Sequence, residues 1–245
     1  EILMVKFITL NILKFFDYFY QKRIINFFKK KNINNFDIFF DIGAHKGESI
    51  CLFAANFNIS KIYSFEPSPI SYKILKQNIH KFKKRFNKTQ IFIENYALGS
   101  KNKKIIMKHI DESSSSTIRD LNTSSKYFKK KFFFLKNTSN QNLFKEIEVK
   151  QILLSEYIEQ QKIENIDFIK IDTEGYEMEV LKGAKNILFK TKYLLFEHHY
   201  DDMIIKNYFF SDIHNFLKKN NFQQLYKSKM PFRKTFEYIY INKSS

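Results

Sequence analysis

The stretch Phe36-Asp37-Ile38-Phe39-Phe40-Asp41-Ile42-Gly43-Ala44-His45-Lys46-Gly47-Glu48-Ser49 runs from apolar residues into an acid and then two spaced glycines. Ile38, Phe39 and Phe40 form the continuous apolar, β-favouring run expected of a strand covered on both faces of a parallel sheet. The chain must then turn sharply into a helix predicted over Glu48 to Phe57. Gly43 supplies the φ freedom for that turn and bare backbone for a ligand, and Gly47 lets the helix begin close to the strand. Nucleotide phosphates are held by G-x-G-x-x-G or G-x-x-x-x-G-K-[ST], where helix N-terminal amides meet phosphate oxygens. Here the pattern is D-x-G-x-x-x-G. An acid so close to the first glycine repels phosphate and suits a ligand carrying an ammonium group, which points to S-adenosylmethionine (SAM).

With 245 residues the chain is long enough for one α/β domain with additions. Its net charge of +17 permits nucleic acid, an anionic membrane or acidic substrates as partners. Lys, Asn, Ile and Phe are abundant throughout, while Trp is absent and there are only 5 Gly and 3 Pro, the mark of drift in base composition. Charge alone therefore assigns no partner. The single cysteine, Cys51, excludes an internal disulfide and a cysteine-built zinc site, fits a reducing, cytoplasmic compartment, and reads as a packed thiol.

Residues 1–35 read as an N-terminal helical extension, and 36–245 as the main domain. Glu1 to Lys31 is apolar and aromatic but broken by Lys6, Lys14, Asp17, Lys22 and Arg23, so neither a membrane span nor a signal peptide is expected of it. Packing on the domain is favoured for it over a peripheral contact with the inner face of a membrane. A second strand is predicted over Lys61 to Phe65. It ends in Glu66-Pro67, where an acid can accept both ribose hydroxyls of a nucleoside. Pro69 opens a helix with Leu75, Ile79 and Phe82 at helical spacing. Gln90 to Glu94 is a third strand, Asn95 to Gly99 a turn, and Lys103 to Ile110 an added β-ribbon. Residues 112–150 read as an insertion forming a lid on the acceptor side.

Order returns with a helix over Ile152 to Gln160 and a strand over Asp167 to Asp172. Thr173-Glu174-Gly175 turns the chain into a helix faced by Tyr176, Val180, Leu181 and Ala184. A strand over Tyr193 to Phe196 ends in Glu197-His198-His199. Ile205, Phe209, Ile213 and Phe216 mark another helix, and Phe222 to Tyr226 and Phe236 to Ile241 pair as antiparallel strands. Alternating strands and helices predict a doubly wound α/β sheet that binds ligands at the strands' C-terminal ends.

The chain resembles the FkbM family of SAM-dependent methyltransferases. The matching pieces are Phe40 to Gly47, Phe65-Glu66-Pro67, Asn95-Tyr96-Ala97-Leu98-Gly99, and above all Ile166 to Glu177 continuing to Leu181-Lys182-Gly183-Ala184. All five glycines fall within these motifs. The resemblance implies the class I methyltransferase (Rossmann-like) fold, a mostly parallel seven-stranded sheet with an antiparallel last strand. It also implies methyl transfer to a hydroxyl, often on a sugar or a polyketide-like product, with Asp41, Gly43, Ala44, Gly47, Glu66, Pro67 and Ala97 as the cofactor site. His45-Lys46 depart from the family's commoner residues and are expected to alter the pocket edge.

Methyl transfer from a sulfonium is an in-line displacement, so the protein must align donor and acceptor and take the hydroxyl's proton. Bases at the strand ends are Asp172, Glu174, Glu197, His198 and His199, among which Glu174 and His198 are favoured, with Asp172 beside them. Lys170, in mid-strand, needs a carboxylate partner, and Asp172 is the nearest acid on the same face. Asp172, Glu174, Glu197 and His198 could together hold a divalent metal, although no spacing demands one. A small hydroxylated or glycan acceptor is expected and nucleic acid is not. Two rivals share the fold: an RNA ribose 2′-O-methyltransferase and a non-catalytic interaction protein. A nicotinamide-dependent oxidoreductase would need the G-x-G-x-x-G that this chain lacks.

Overall fold

The computed structural model describes residues 22–109, 116–129, 144–231 and 233–244. Residues 22–30 are helical and are denoted α1. Then come β1 (Asn35–Ile42), α2 (Glu48–Asn56), β2 (Asn58–Phe65), α3 (Pro69–Arg85), β3 (Gln90–Glu94), β4 (Ala97–Leu98) and β5 (Lys103–His109). The next elements are β6 (Lys145–Ile152), α4 (Leu154–Gln160), β7 (Ile166–Ile171), α5 (Glu177–Gly183) and a 3-10 helix (Lys185–Lys190). The chain finishes with β8 (Thr191–His199), α6 (Phe210–Lys219), β9 (Phe222–Lys229) and β10 (Thr235–Asn242).

Seven strands form the main sheet in the order β3-β2-β1-β7-β8-β10-β9. The first five are parallel, and β10 runs antiparallel to both β8 and β9. This is the sheet expected from the sequence. Its order reverses between β1 and β7, so a crevice opens at their C-terminal ends, where doubly wound sheets bind ligands.

The central strands are apolar on both sides because helices cover both faces. On one face Phe40, Ile169, Leu194 and Phe196 pack against α4, α5 and α6 through Ile158, Leu181, Ile213 and Leu217. On the other, Phe39, Phe168 and Leu195 meet Phe28 of α1, Phe53 of α2 and Leu75 and Ile79 of α3. Phe168 stacks on Phe36 and Phe39 with ring centroids 5.2 and 5.0 Å apart, and Phe28 meets it edge-on at 5.3 Å. Each such ring buried contributes roughly 1.5–3 kcal/mol.

Three expectations are corrected. The insertion does not extend through Lys150: Lys145–Ile152 is a strand, antiparallel to β5 and parallel to β4, and completes a separate three-stranded sheet. The strand predicted to stop at Phe196 continues to His199, because β10 pairs with it residue for residue through Thr235. Ile205 and Phe209 precede α6 instead of lying within it, Phe209 as its N-cap. Residues 1–21 of the N-terminal extension, and 112–115 and 130–143 of the expected lid, lie outside the described residues. Among the described residues no helix is long and apolar enough to cross a membrane.

Candidate active site

At the end of β1 the chain bends through Gly43, at φ +85°. A Cβ built there would stand 1.8 Å from the backbone oxygen of Asp172, so the bend rests directly on the end of β7 and admits only glycine. The Gly43 and Ala44 amides both donate to the Phe65 carbonyl, at 2.9 and 3.0 Å. Glu66 accepts from the His45 amide at 2.8 Å and from the Ser68 amide at 2.9 Å, which ties the bend to the tip of β2. Burial pushes the Glu66 carboxyl up to about 7. Asn95 fixes the same tip from β3's side, donating to the carbonyls of Glu66 and Pro67 at 2.8 and 3.0 Å.

His45 and Lys46 are held by Glu48. The His45 ring lies 3.1 Å from one Glu48 oxygen, and the Lys46 amide donates to the other at 3.1 Å. Gly47, at φ +93°, leads into α2. Asp41, Gly43, Ala44, Glu66 and Pro67 thus gather where β1 meets β2. Ala97 begins β4, and its side chain packs with Ile105, Met107 and Val149 in the core of the small sheet.

Beneath the bend lies a buried row of charges. Asp41 is 0% exposed and neither of its carboxylate oxygens has a hydrogen-bond partner. Its nearest cation is the Lys170 Nζ at 3.8 Å, which in turn donates to Asp172 at 3.0 Å. Burial raises the Asp41 pKa to about 6 against the pull of Lys170, and Asp172 adds to the rise. Burial works against the Lys170 ammonium too, but Asp172 and Asp41 outweigh it and hold its pKa above the ordinary value. Two orphaned buried oxygens beside bare backbone fit a cationic ligand such as SAM.

The row continues along the same face of the sheet. Asp41 pairs in register with Lys170, Lys170 with Leu195, and Glu197 and His199 follow Leu195 at two-residue steps. The His199 Nε2 lies 3.1 Å from Glu174 and 3.0 Å from Glu197, and its Nδ1 lies 3.5 Å from Asp201 and 3.2 Å from the Thr235 hydroxyl. Burial disfavours the imidazolium, yet Glu174, Asp201 and Glu197 outweigh it and hold His199 well above the ordinary value. Burial, with Asp172 nearby, pushes Glu197 up to about 7. Lys206 donates to the His199 carbonyl, and Tyr127, from the inserted segment, lies in the field of Asp201, Arg233, His199 and Glu174.

His198 points the other way. Its ring packs against Tyr200, Tyr208 and Phe210 at centroid distances of 4.7, 5.9 and 5.8 Å. Burial, helped by Lys206, lowers its pKa to about 3. Of the residues favoured from the sequence for proton transfer, Glu174 and Asp172 join the charged row and His198 stands apart from it. His199 and Asp201 lie in the charged row beside Glu174. Among the described residues no group of three or more His, Cys, Asp or Glu is arranged to hold a metal ion.

Strand order and the carboxylate-led glycine bend at the switch point define the class I SAM-dependent methyltransferase fold. Residues 41–223 match the methyltransferase FkbM domain, and the chain belongs to that family. No curated protein matches the chain. Among solved structures, it is similar to the methyltransferase FkbM of Methylobacillus flagellatus KT, at 15% identity and a TM-score of 0.55. That match covers 84% of this chain and 43% of the other, so the chain spans under half that protein's length. The SAM-bound magnesium protoporphyrin IX methyltransferase of Synechocystis PCC 6803 matches at 9% identity and a TM-score of 0.52, over 96% of this chain and 81% of the other. Likeness at these identities shows the fold alone.

Proposed function

We propose that the domain transfers the methyl group of SAM to a hydroxyl of a sugar, glycan, lipid-linked sugar or related small metabolite. The observation that carries this reading is the Glu174 carboxylate held 3.1 Å from the His199 ring at the end of the charged row. That pairing supports Glu174 as the base that would take a hydroxyl's proton, with His199 as the charge that would keep it oriented. Bound SAM supplies a sulfonium methyl open to displacement. Asp41 would meet its ammonium and Glu66 its ribose hydroxyls. Gly43, Ala44, Gly47, Pro67 and Ala97 would border it, as the family pattern implies. Asp172, paired with Lys170 at 3.0 Å, would lie beneath the bound donor.

Glu174 carries left-handed backbone, φ 49°, which is uncommon outside glycine and costs on the order of 1 kcal/mol or more. Strain of this kind concentrates at functional sites and supports the assignment.

The test is incubation of the protein and isotopically labelled SAM with fractionated cell-surface glycans and small metabolites, followed by mass spectrometry of whatever gains a methyl group. Glu174→Gln is expected to slow that transfer by about 10²–10⁴-fold, the usual scale of a lost general base. Its affinity for S-adenosylhomocysteine in calorimetry is expected to stay unchanged. Undiminished transfer by the variant refutes the base assignment. Methylation of RNA ribose, with salt-dependent binding of mixed oligonucleotides, would replace the acceptor class.

A further inference from the structure

The turn that presents Glu174 is gripped from two sides. From inside, the Glu177 carboxylate accepts from the Gly175 amide at 3.0 Å, the Thr173 hydroxyl at 3.2 Å and the Thr173 amide at 3.3 Å. It also accepts from the Tyr208 hydroxyl at 2.5 Å. From outside come two residues of the segment after β5. The Thr117 hydroxyl donates to the Glu174 carbonyl at 2.8 Å, and the Arg119 Nε donates to the Gly175 carbonyl at 3.1 Å.

Both carbonyls belong to left-handed residues, Glu174 at φ 49° and Gly175 at φ +92°. Both residues precede Tyr176, the N-cap of α5, so their carbonyls lie outside the helical ladder, and the inserted segment supplies their donors. Thr117 is 1% exposed, and its own amide and carbonyl are locked to Lys108 of β5 at 3.1 and 2.8 Å. Its hydroxyl also accepts from the Arg119 amide at 3.0 Å. The Arg119 guanidinium lies over the Tyr176 ring at 5.0 Å, which fixes its plane. Beyond it the Ile205 amide donates to the Asp120 carbonyl and the Asn122 amide to the Met203 carbonyl, so the segment is also sewn to the loop after β8.

We infer that Thr117 and Arg119 are positioning residues that hold the Glu174–Gly175 turn so that the Glu174 carboxylate meets His199. The inference rests on the proposed role of Glu174 and assigns to the inserted segment the task of aiming the base. Thr117 is the sharper probe, because valine keeps its shape and its β-bridge while removing the one hydroxyl that reaches the turn. Threonine to serine keeps the hydroxyl.

The experiment follows the His199 ring by NMR across a pH titration of the intact protein, its signal assigned with His199→Gln. His199 is faced by Glu174, Glu197, Asp201, Thr235, Tyr127, Arg233 and Lys206, so Glu174→Gln measures how much of its ionisation Glu174 controls. That variant is expected to lower the His199 pKa by about 1 unit or more, the usual effect of losing an adjacent opposite charge. Thr117→Val and Arg119→Gln are expected to move it the same way, Thr117→Ser to leave it at the wild-type value, and Thr117→Val to add nothing in the Glu174→Gln background. Circular dichroism and thermal melting confirm that each variant folds, with Arg119→Lys as the substitute if Arg119→Gln does not. A normal His199 titration in Thr117→Val, alongside a lowered one in Glu174→Gln, overturns the positioning role alone. A normal titration in Glu174→Gln overturns the Glu174–His199 pairing and the base assignment with it.

Discussion

Replacing Lys170 by Met tests whether the charges under the glycine bend act as one unit. The Lys170 side chain is 9% exposed and the Asp41 side chain 0%, with 3.8 Å between them and 3.0 Å from Lys170 to Asp172. Methionine fills most of the volume of the lysine stem, so the change removes charge with little cavity. Asp41 is then left as a buried carboxylate with neither hydrogen bond nor cation. Removing one partner of a buried pair costs about 3–5 kcal/mol. At about 2–4 °C per kcal/mol for a domain of this size, the melting temperature is expected to fall by about 6–20 °C at neutral pH.

The pH dependence identifies the cause. The Lys170 pKa is raised above 10.5, so its own contribution is fully present below that value and adds no slope between about pH 5 and pH 8. Asp41 is a carboxyl whose folded pKa, about 6, lies above the ordinary 3.8, and losing Lys170 drives it higher. Ionising it in the folded variant is therefore costly at about pH 8, while at about pH 5 the folded variant keeps it neutral. The deficit is expected to shrink as pH falls, and Lys170→Met/Asp41→Asn to recover most of it. Scanning calorimetry of both variants reads this directly. A single variant that melts within about 2 °C of wild type at pH 8, or a double variant no better than the single, refutes the reasoning.

Gly43→Ala places a methyl group 1.8 Å from the Asp172 backbone oxygen at φ +85°, so calorimetry is expected to find S-adenosylhomocysteine binding abolished or the protein unfolded; wild-type affinity would refute the packing of the bend on β7. His198→Phe fits the aromatic nest of Tyr200, Tyr208 and Phe210 and is expected to keep methyl transfer, whereas His199→Phe loses it; the reverse outcome returns His198 to the reacting centre. Glu66 and Glu197 have folded pKa values of about 7 against an ordinary 4.5. Because their carboxyls ionise more readily in the unfolded chain, stability is lost as pH rises from about 4.5 to about 7, on the order of 3 kcal/mol for Glu66 and in the same direction for Glu197. His199, raised, adds loss in the same direction above about 6.5, while His198, lowered to about 3, works the other way and costs stability as pH falls below about 6.5; Glu66, Glu197 and His199 together outweigh it, so melting of the unliganded protein is expected to be higher at about pH 5 than at pH 8, and a rising profile would contradict this.

The main sheet was legible because its central strands are local signals. Phe39, Phe40 and Ile42, or Phe168, Ile169 and Ile171, are apolar whatever lies beside them, and the glycine bend and Glu66-Pro67 mark where such strands stop. Strand β6 carries no such signal. Its signal is the weaker alternation of Glu146, Glu148 and Lys150 with Ile147 and Val149, which buries only Val149 and Gln151 and marks a half-buried strand without naming its partner β5, some 40 residues earlier in sequence. Such pairing is a long-range fact that a local pattern cannot hold.

The choice between His198 and His199 has the same origin. A polar Glu-His-His reads as the end of a strand, and side chains beyond a strand's end have no fixed side. Because Thr235, Phe236 and Glu237 of β10 pair with His199, His198 and Glu197, the strand continues and its two-residue alternation decides the matter. Leu195 faces the charged row, so Glu197 and His199 must face it as well, and His198 must turn toward Phe210. The pairing of Leu195 with Lys170 of β7 sets which face each residue of β8 takes, and β10 keeps β8 extended so that this alternation reaches His199. The antiparallel last strand, which lies farther from the glycine bend than β7 and β8, thus keeps β8 extended as far as the histidine that reaches Glu174.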